Sequence, residues 1–524
     1  EDYRLISTLR KYTSYLEEAL TDKTYQEVRA LSREWLPDAV SSKILDIYKE
    51  RVLGEAQKRL TSDMNIETAF KTVYQYFEEA GFKTHDGSVL PVRLQDLPEP
   101  PPPDVLDPVV FEMIPQKLRV ELMPAVVYAT KTKRIEILFL GGPRIGHSGI
   151  LIKTDTGGIL MDYGLSVANQ RIPNWEPELE MVDTVLISHA HLDHVGGLPI
   201  LYDKFQGKWC STGMTAAITR LLLEDALNVG TPLPPRKKDR TDLVSRFTKK
   251  NIDRVIQNHV KLDIGHSSEV AGGIVVTPID ASHIPGSVAY LVDIEGVRIL
   301  YTGDFNLDKS VILPGANLPV DPDYVIFDGT YWGREDFDRS RVYHQMDDIV
   351  RNHGPIIIPA FAVGRAQEML MILEEMGVTQ SRNVIVAGLA EKVTKMTGYS
   401  GHWEGMKKNK VVLEWEDILV SGGGMMNGGL AREHFEQHRD NQNAAVVLCG
   451  YLAPRTPGWN LLHGLEHHRC RVEYARLSAH SSASRLQGYA RSCTGKKIMV
   501  HTPLVKEPRG IHIPAPSERI VIEL

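Results

Sequence analysis

Apolar residues recur at helical spacing over the first 95 residues: Leu5, Leu9, Tyr12 and Leu16, then Ile44, Ile47, Tyr48 and Val52, then Phe70, Val73, Tyr74 and Phe77. Spacings of three and four place such residues on one face of a helix, so residues 1–95 are expected to form an α-helical domain. The run Leu97-Pro98-Glu99-Pro100-Pro101-Pro102-Pro103 cannot continue a helix, because proline lacks the N–H donor and fixes φ. Residues 96–133 therefore read as a stiff linker and connecting segment. From Ile135 the pattern changes to short apolar runs punctuated by Gly and Pro and interleaved with helical stretches such as 214–227, which predicts an α/β fold. The apolar runs 355–359, 384–386 and 444–448 are expected to be strands buried on both faces, in a parallel, Rossmann-like sheet. Residues 430–438 suit a helix and 518–524 a strand, while Pro503 and Pro508 leave little room for a helix between 501 and 518. No internal repeat is visible.

A chain of 524 residues exceeds a single core and suggests three units, given about 100–200 residues per domain. No apolar stretch approaches the roughly 18 residues of a membrane span, and the first residues lack the charged flank and apolar core of a signal peptide, so a cytoplasmic protein is expected. Cys210, Cys449, Cys470 and Cys493 are scattered without CxxC spacing and read as core thiols. The net charge of −7 argues against a generally basic nucleic-acid surface. Local runs such as Arg236-Lys237-Lys238 and Lys407-Lys408 could still line a path for phosphates.

The chemistry-bearing stretch is His189-Ala190-His191-Leu192-Asp193-His194, directly after the apolar run 182–187. Three imidazoles and a carboxylate in six residues supply the nitrogen and oxygen donors that Zn²⁺ accepts, and a strand end holds them at fixed geometry. A solvated polar turn is the alternative, but Asp162, His283, Asp304 and His501 each follow a further strand-like run.

In this order the residues resemble the metallo-β-lactamase superfamily, whose HxHxDH loop lies at the edge of an αββα sandwich. Asp328 in Phe327-Asp328-Gly329-Thr330, His480 in Ser478-Ala479-His480-Ser481 and His501 in Met499-Val500-His501 look like the extra motifs of the β-CASP nucleases within it. Ile358 to Glu368, with Gly364-Arg365-Ala366-Gln367-Glu368, and Ser421-Gly422-Gly423-Gly424-Met425 are similar to family segments of the inserted domain, of the cleavage-factor-like branch. The resemblance covers roughly residues 134–524. It implies a metallo-β-lactamase domain over 134–332, interrupted by a β-CASP domain at 333–473 and resumed over 474–524.

Carried over residue by residue, the resemblance implies a centre of two Zn²⁺ ions. His189, His191 and His283 would hold one, Asp193, His194 and His501 the other, and Asp304 would bridge them. A hydroxide shared by the metals would attack phosphorus, with His480 as general acid paired to Asp328 and Asp162 orienting the loop histidines. His480 could instead merely cap a helix beginning near Ser481, and His501 could be a satisfied core residue. Arg365 and Gly422, Gly423 and Gly424 are expected to contact phosphates, although Arg365 could equally make an interface ion pair.

The reading is thus a zinc-dependent nuclease acting on single-stranded RNA, ahead of DNA, with endonuclease and exonuclease action both open. A small-molecule metallo-hydrolase of lactonase or thioesterase type and a non-catalytic scaffold subunit are the rivals. The N-terminal helical domain carries no catalytic constellation and is expected to serve a protein partner or a homodimer.

Overall fold

The computed structural model describes residues 134–155, 157–166, 171–229, 247–407 and 412–524, together with a short antiparallel pair, Thr84–His85 with Ser88–Val89. That pair interrupts a stretch read from periodicity as helical. The rest of the expected helical domain, the proline-rich linker and the basic run 236–238 lie outside the described residues.

Two sheets face one another. The first has seven strands, in the order Arg519–Glu523, Arg134–Phe139, Ile150–Thr154, Gly157–Met161, Val182–Leu186, Lys208–Ser211 and His259–Lys261. Its pairings are antiparallel up to Gly157–Met161 and parallel from there on. The second has six, in the order Lys496–Val500, Tyr324–Asp328, Val297–Tyr301, Val288–Ile294, Ile274–Asp280 and Ser268–Ala271. Alternate side chains of a strand point to opposite faces, and here both faces are covered. Ile135, Ile137 and Phe139 enter the core between the sheets, where they meet Val276, Tyr290 and Ile326. The intervening Leu138 joins Leu160, Val185 and Trp209 on the outer face, packed with Leu223 and Val255 from helices Gly213–Val229 and Lys249–Gln257. Helix Ala483–Ser492 covers the far face of the second sheet through Leu486, Tyr489 and Ala490. The four layers run helix, sheet, sheet, helix.

After Tyr324–Asp328 the chain leaves this sandwich and builds a six-stranded sheet of its own, and it returns to pair Lys496–Val500 in parallel with Tyr324–Asp328. Every pairing in the third sheet is parallel. Its central strands Ile356–Pro359, Asp417–Ser421 and Ala445–Cys449 are buried at every position, which explains why the first and last of them read as unbroken apolar runs. Helices lie on both faces. Ile284 of the sandwich and Val363 and Val393 of the inserted part share one small apolar cluster, so the two parts meet beside His283. The four cysteines are all buried and free. Among the described residues no helix is long and apolar enough to cross a membrane.

Candidate metal centre

The sandwich places its chemistry at one end. Strands Gly157–Met161 and Val182–Leu186 run parallel in the first sheet, as do Val297–Tyr301, Tyr324–Asp328 and Lys496–Val500 in the second. Asp162, His189, Asp304, Asp328 and His501 lie at or just beyond the C-terminal ends of these strands, and His283 follows Ile274–Asp280 at the same end. Three positions here, Asp162, Ser282 and His501, have φ of 56°, 51° and 49°. Non-glycine residues at positive φ cost of order 1–3 kcal/mol each and persist where the surroundings over-determine them.

His191 Nδ1 lies 3.1 Å from Nε2 of His189 and 3.1 Å from Nε2 of His283. Asp304 Oδ2 is 3.7 Å and 3.6 Å from those two Nε2 atoms. Its Oδ1 turns the other way, 3.3 Å from His194 Nε2 and 2.7 Å from His501 Nδ1, while His501 Nε2 is 3.2 Å from Asp193 Oδ2. Asp304 thus shows one oxygen to each of two donor groups. Asp304 Oδ1 and His501 Nδ1 are buried without a hydrogen-bond partner among the described residues, despite their proximity. Zinc–nitrogen bonds of about 2.0–2.1 Å in tetrahedral array put the nitrogens about 3.3 Å apart, close to the spacing of the His189–His191–His283 group. The donor set therefore fits a metal ion.

Three of the imidazoles are oriented from behind. Asp162, 0% exposed, accepts from His194 Nδ1 (2.7 Å), Tyr301 Oη (2.6 Å), Ser188 Oγ (2.7 Å) and the Ser188 backbone N–H (2.7 Å). The carboxylate can only accept, so His194 keeps a proton on Nδ1 and Nε2, beside Asp304, is the nitrogen a metal would take. Ser188 Oγ, whose proton goes to Asp162, accepts from His189 Nδ1 at 3.0 Å. His283 Nδ1 donates to the Ala479 carbonyl at 2.9 Å, which leaves its Nε2 free as well. The motif that carries His480 therefore also braces a candidate ligand.

The electrostatics divide the group. Burial holds His189 and His283 well below the usual imidazole range and His191 down at about 4, so all three offer neutral lone pairs. Burial also opposes charge on His194, but Asp304 and Asp162 outweigh it and push the pKa up to about 10. His501 rises in the same way, against burial, under Asp304 and Asp193. Burial disfavours the Asp328 carboxylate, yet His480 beside it brings that carboxyl down to about 2. His480 Nδ1 sits 2.6 Å from Asp328 Oδ2, with Nε2 3.9 Å from Asp304 Oδ2 and 19% of the side chain exposed. Burial lowers and Asp328 and Asp304 raise the His480 pKa, and the net direction is up. His480 does not cap a helix: the following helix is Ala483–Ser492, with Ser482 at its N-cap.

Arg365 departs from expectation. It is only 4% exposed and pairs with Glu368, one turn along helix Arg365–Glu375, where side chains three apart share a face. Glu368 also takes Arg339, which donates in turn to the Ser478 carbonyl. The guanidinium is thus buried against a carboxylate of its own helix, and the pair does not span a domain interface. Gly424 packs against the backbone of Ala360 and Phe361, where a Cβ would lie 3.0–3.1 Å from main-chain atoms. Gly422 and Gly423 follow the end of strand Asp417–Ser421. The bracing groups Ser188, Tyr301 and the Ala479 carbonyl were missed by the sequence reading. Ser188, next to the histidine cluster, was the one that carried a local signal.

Comparison with known proteins agrees with this geometry. The metallo-β-lactamase superfamily model matches residues 142–345 and the β-CASP domain model residues 366–461. "RNase aCSPSF2" of Saccharolobus solfataricus is 28% identical over 432 residues, 73% of this chain and 84% of that protein. "Transcription termination factor FttA" of Methanothermobacter thermautotrophicus is 28% identical over 419 residues, 68% of this chain and 65% of its own length. "Cleavage and polyadenylation specificity factor subunit 3" of Dictyostelium discoideum is 28% identical over 362 residues, 62% of this chain and 46% of that protein. A crystal structure of a protein of unknown function from Enterococcus faecalis V583 superposes with a TM-score of 0.50 at 14% identity, covering 74% of this chain and all of that one, a likeness of fold alone. With both domain models matched in order along a sandwich whose strand ends converge on histidines and aspartates that fit a divalent metal, the chain belongs to the β-CASP branch of the metallo-β-lactamase superfamily.

Proposed function

We propose that the chain is a metal-dependent ribonuclease that hydrolyses phosphodiester bonds in single-stranded RNA, with two Zn²⁺ ions as its resident metals. His189, His191 and His283 would hold one ion and Asp193, His194 and His501 the other, with Asp304 between them. The observation that carries the reading is the His480–Asp328 pair, 2.6 Å apart and set against the ligand cluster. A diester expels a poor alkoxide leaving group, and a proton donor placed beside the ligands answers that need. The similar proteins include ones named for RNase activity and for RNA cleavage, which supports RNA as the substrate.

When bound, such metals supply Lewis acidity that activates water near neutral pH and offsets the charge on a phosphoryl group. The chain's own residues do the rest. Asp328 takes the Nδ1 proton of His480 in a hydrogen bond and favours the imidazolium, so a second proton sits on Nε2, where a leaving oxygen can collect it. Asp162 and Ser188 hold His194 and His189 in fixed tautomers and directions. Gly422, Gly423 and Gly424 remain proposed phosphate contacts, leading toward the start of helix Gly429–His438, whose first N–H groups suit an anion. Chelated protein should lose cleavage of a labelled single-stranded oligoribonucleotide and regain it on addition of Zn²⁺. Restored hydrolysis of a lactone or thioester, with RNA untouched, would replace this reading by the small-molecule one.

A further inference from the structure

We infer that Arg334, Phe337 and Arg476, set around the buried Tyr331, form a nucleotide-binding platform for the part of a single-stranded RNA attached to the leaving oxygen. The inference rests on the ribonuclease reading above and adds a subsite to it. Rings and guanidinium groups continue outward from the general acid. The Tyr331 ring lies 6.0 Å from that of His480, and Phe337 lies 6.1 Å from Tyr331. The Arg334 guanidinium stands 5.4 Å from the Tyr331 ring centre, and that of Arg476 stands 5.6 Å from the Phe337 ring centre. Arg339 also reaches Phe337, at 5.7 Å, but its donors are committed to Glu368 and the Ser478 carbonyl.

Arg334-Glu335-Asp336-Phe337-Asp338-Arg339 reads as slightly acidic. In the fold, Asp336 accepts the Ser484 N–H at 3.0 Å and Asp338 the Ser340 N–H at 2.9 Å, so each exposed carboxylate is tied to the start of a helix while keeping its charge. Glu335, Asp336 and Asp338 all face solvent, and the Glu335 carbonyl takes a hydrogen bond from Arg476 at 3.1 Å. Among the described residues neither Arg334 nor Arg476 has a carboxylate within ion-pair distance, whereas Arg351, Arg432 and Arg519 do. Two guanidinium groups without carboxylate partners thus sit beside aromatic rings, in a chain whose net charge is −7.

Single-stranded nucleic acid is the ligand this combination suits, since arginine pairs with phosphate through its planar fork and every base has a face to stack on an aromatic ring. Direction follows from His480. A general acid must come within about 2.6–3.2 Å of the oxygen it protonates, so the nucleotide bearing that oxygen lies on the His480 side, next to Tyr331.

The test uses the full, metal-loaded chain with Arg334→Gln and Arg476→Gln combined, and compares a single-stranded oligoribonucleotide with bis(p-nitrophenyl) phosphate. The platform predicts a rise in KM for the oligoribonucleotide at least about tenfold larger than any change on the small diester. It also predicts a salt slope of binding shallower by about 1.4, from two phosphate contacts at about 0.7 each. The paired Arg334→Lys and Arg476→Lys variant, which keeps charge without the planar fork, should restore the salt slope but only part of the KM. Wild-type cleavage of RNA with an unchanged KM and salt slope in the Gln variant overturns the platform and leaves the ribonuclease reading standing. Absence of RNA cleavage by the wild type, with the small diester hydrolysed, overturns the ribonuclease reading itself.

Discussion

His194 shows how the site is prepared for a metal. Without one, Asp304 and Asp162 outweigh burial and hold its pKa at about 10, above the ordinary 6.5, so it is an imidazolium at neutral pH. A metal needs the Nε2 lone pair and must displace that proton. Metal affinity should therefore rise with pH up to about 10, where the free site no longer holds the proton. Calorimetry at pH 7 in buffers of different ionisation enthalpy should show at least one proton released per chain on full loading; proton-neutral binding would contradict this electrostatic account. Tyr301→Phe probes the next layer, because the Tyr301 hydroxyl donates to Asp162 at 2.6 Å and that carboxylate orients His194. Loss of such a bracing group typically costs about 10–100-fold in metal affinity. A competition titration against a chelator should find that loss while the unfolding midpoint changes little, and an unchanged affinity would mean that Ser188 and His194 alone hold Asp162 in place.

Strand ends and the loops after them decide whether these side chains meet. The clustering of His189, His191 and His194 at one strand end was legible because three imidazoles within six residues, after an apolar strand, have few other uses. The parallel sheet was legible for a related reason: strands buried on both faces must be apolar throughout, as Ile356–Pro359 and Ala445–Cys449 are. The Ala479 carbonyl that fixes His283 could not be read, because the two residues are 196 positions apart and a backbone acceptor leaves no mark on residue type. The burial of Arg365 was not read from the sequence, although Glu368, three residues on, already offered a partner. Gly164 is a loop position with a testable demand for space: a Cβ there would lie 1.7 Å from the Asp193 carbonyl oxygen. Gly164→Ala must push the Asp193–His194 loop away, at a cost of about 1–3 kcal/mol for overpacking. Metal analysis should find the site of Asp193, His194 and His501 depleted more than that of His189, His191 and His283, and full occupancy of both would show that the loop yields without moving its ligands.

Across the whole molecule, the sandwich supplies the candidate metal ligands and the inserted sheet is placed so that its return segment brings Ser478, Ala479 and His480 to the same end. One segment thereby serves two tasks: Ala479 braces His283, and His480 faces Asp304. The account's central claim is that His480 delivers a proton and is not itself a ligand. It is tested most directly by measuring metal content and turnover of single-stranded RNA on the same preparation of His480→Ala, with His501→Ala alongside. The account predicts full metal content in His480→Ala with turnover reduced about 10²–10⁴-fold, and reduced metal content in His501→Ala. Metal lost from His480→Ala but retained by His501→Ala, or turnover untouched by the His480 change, would contradict it.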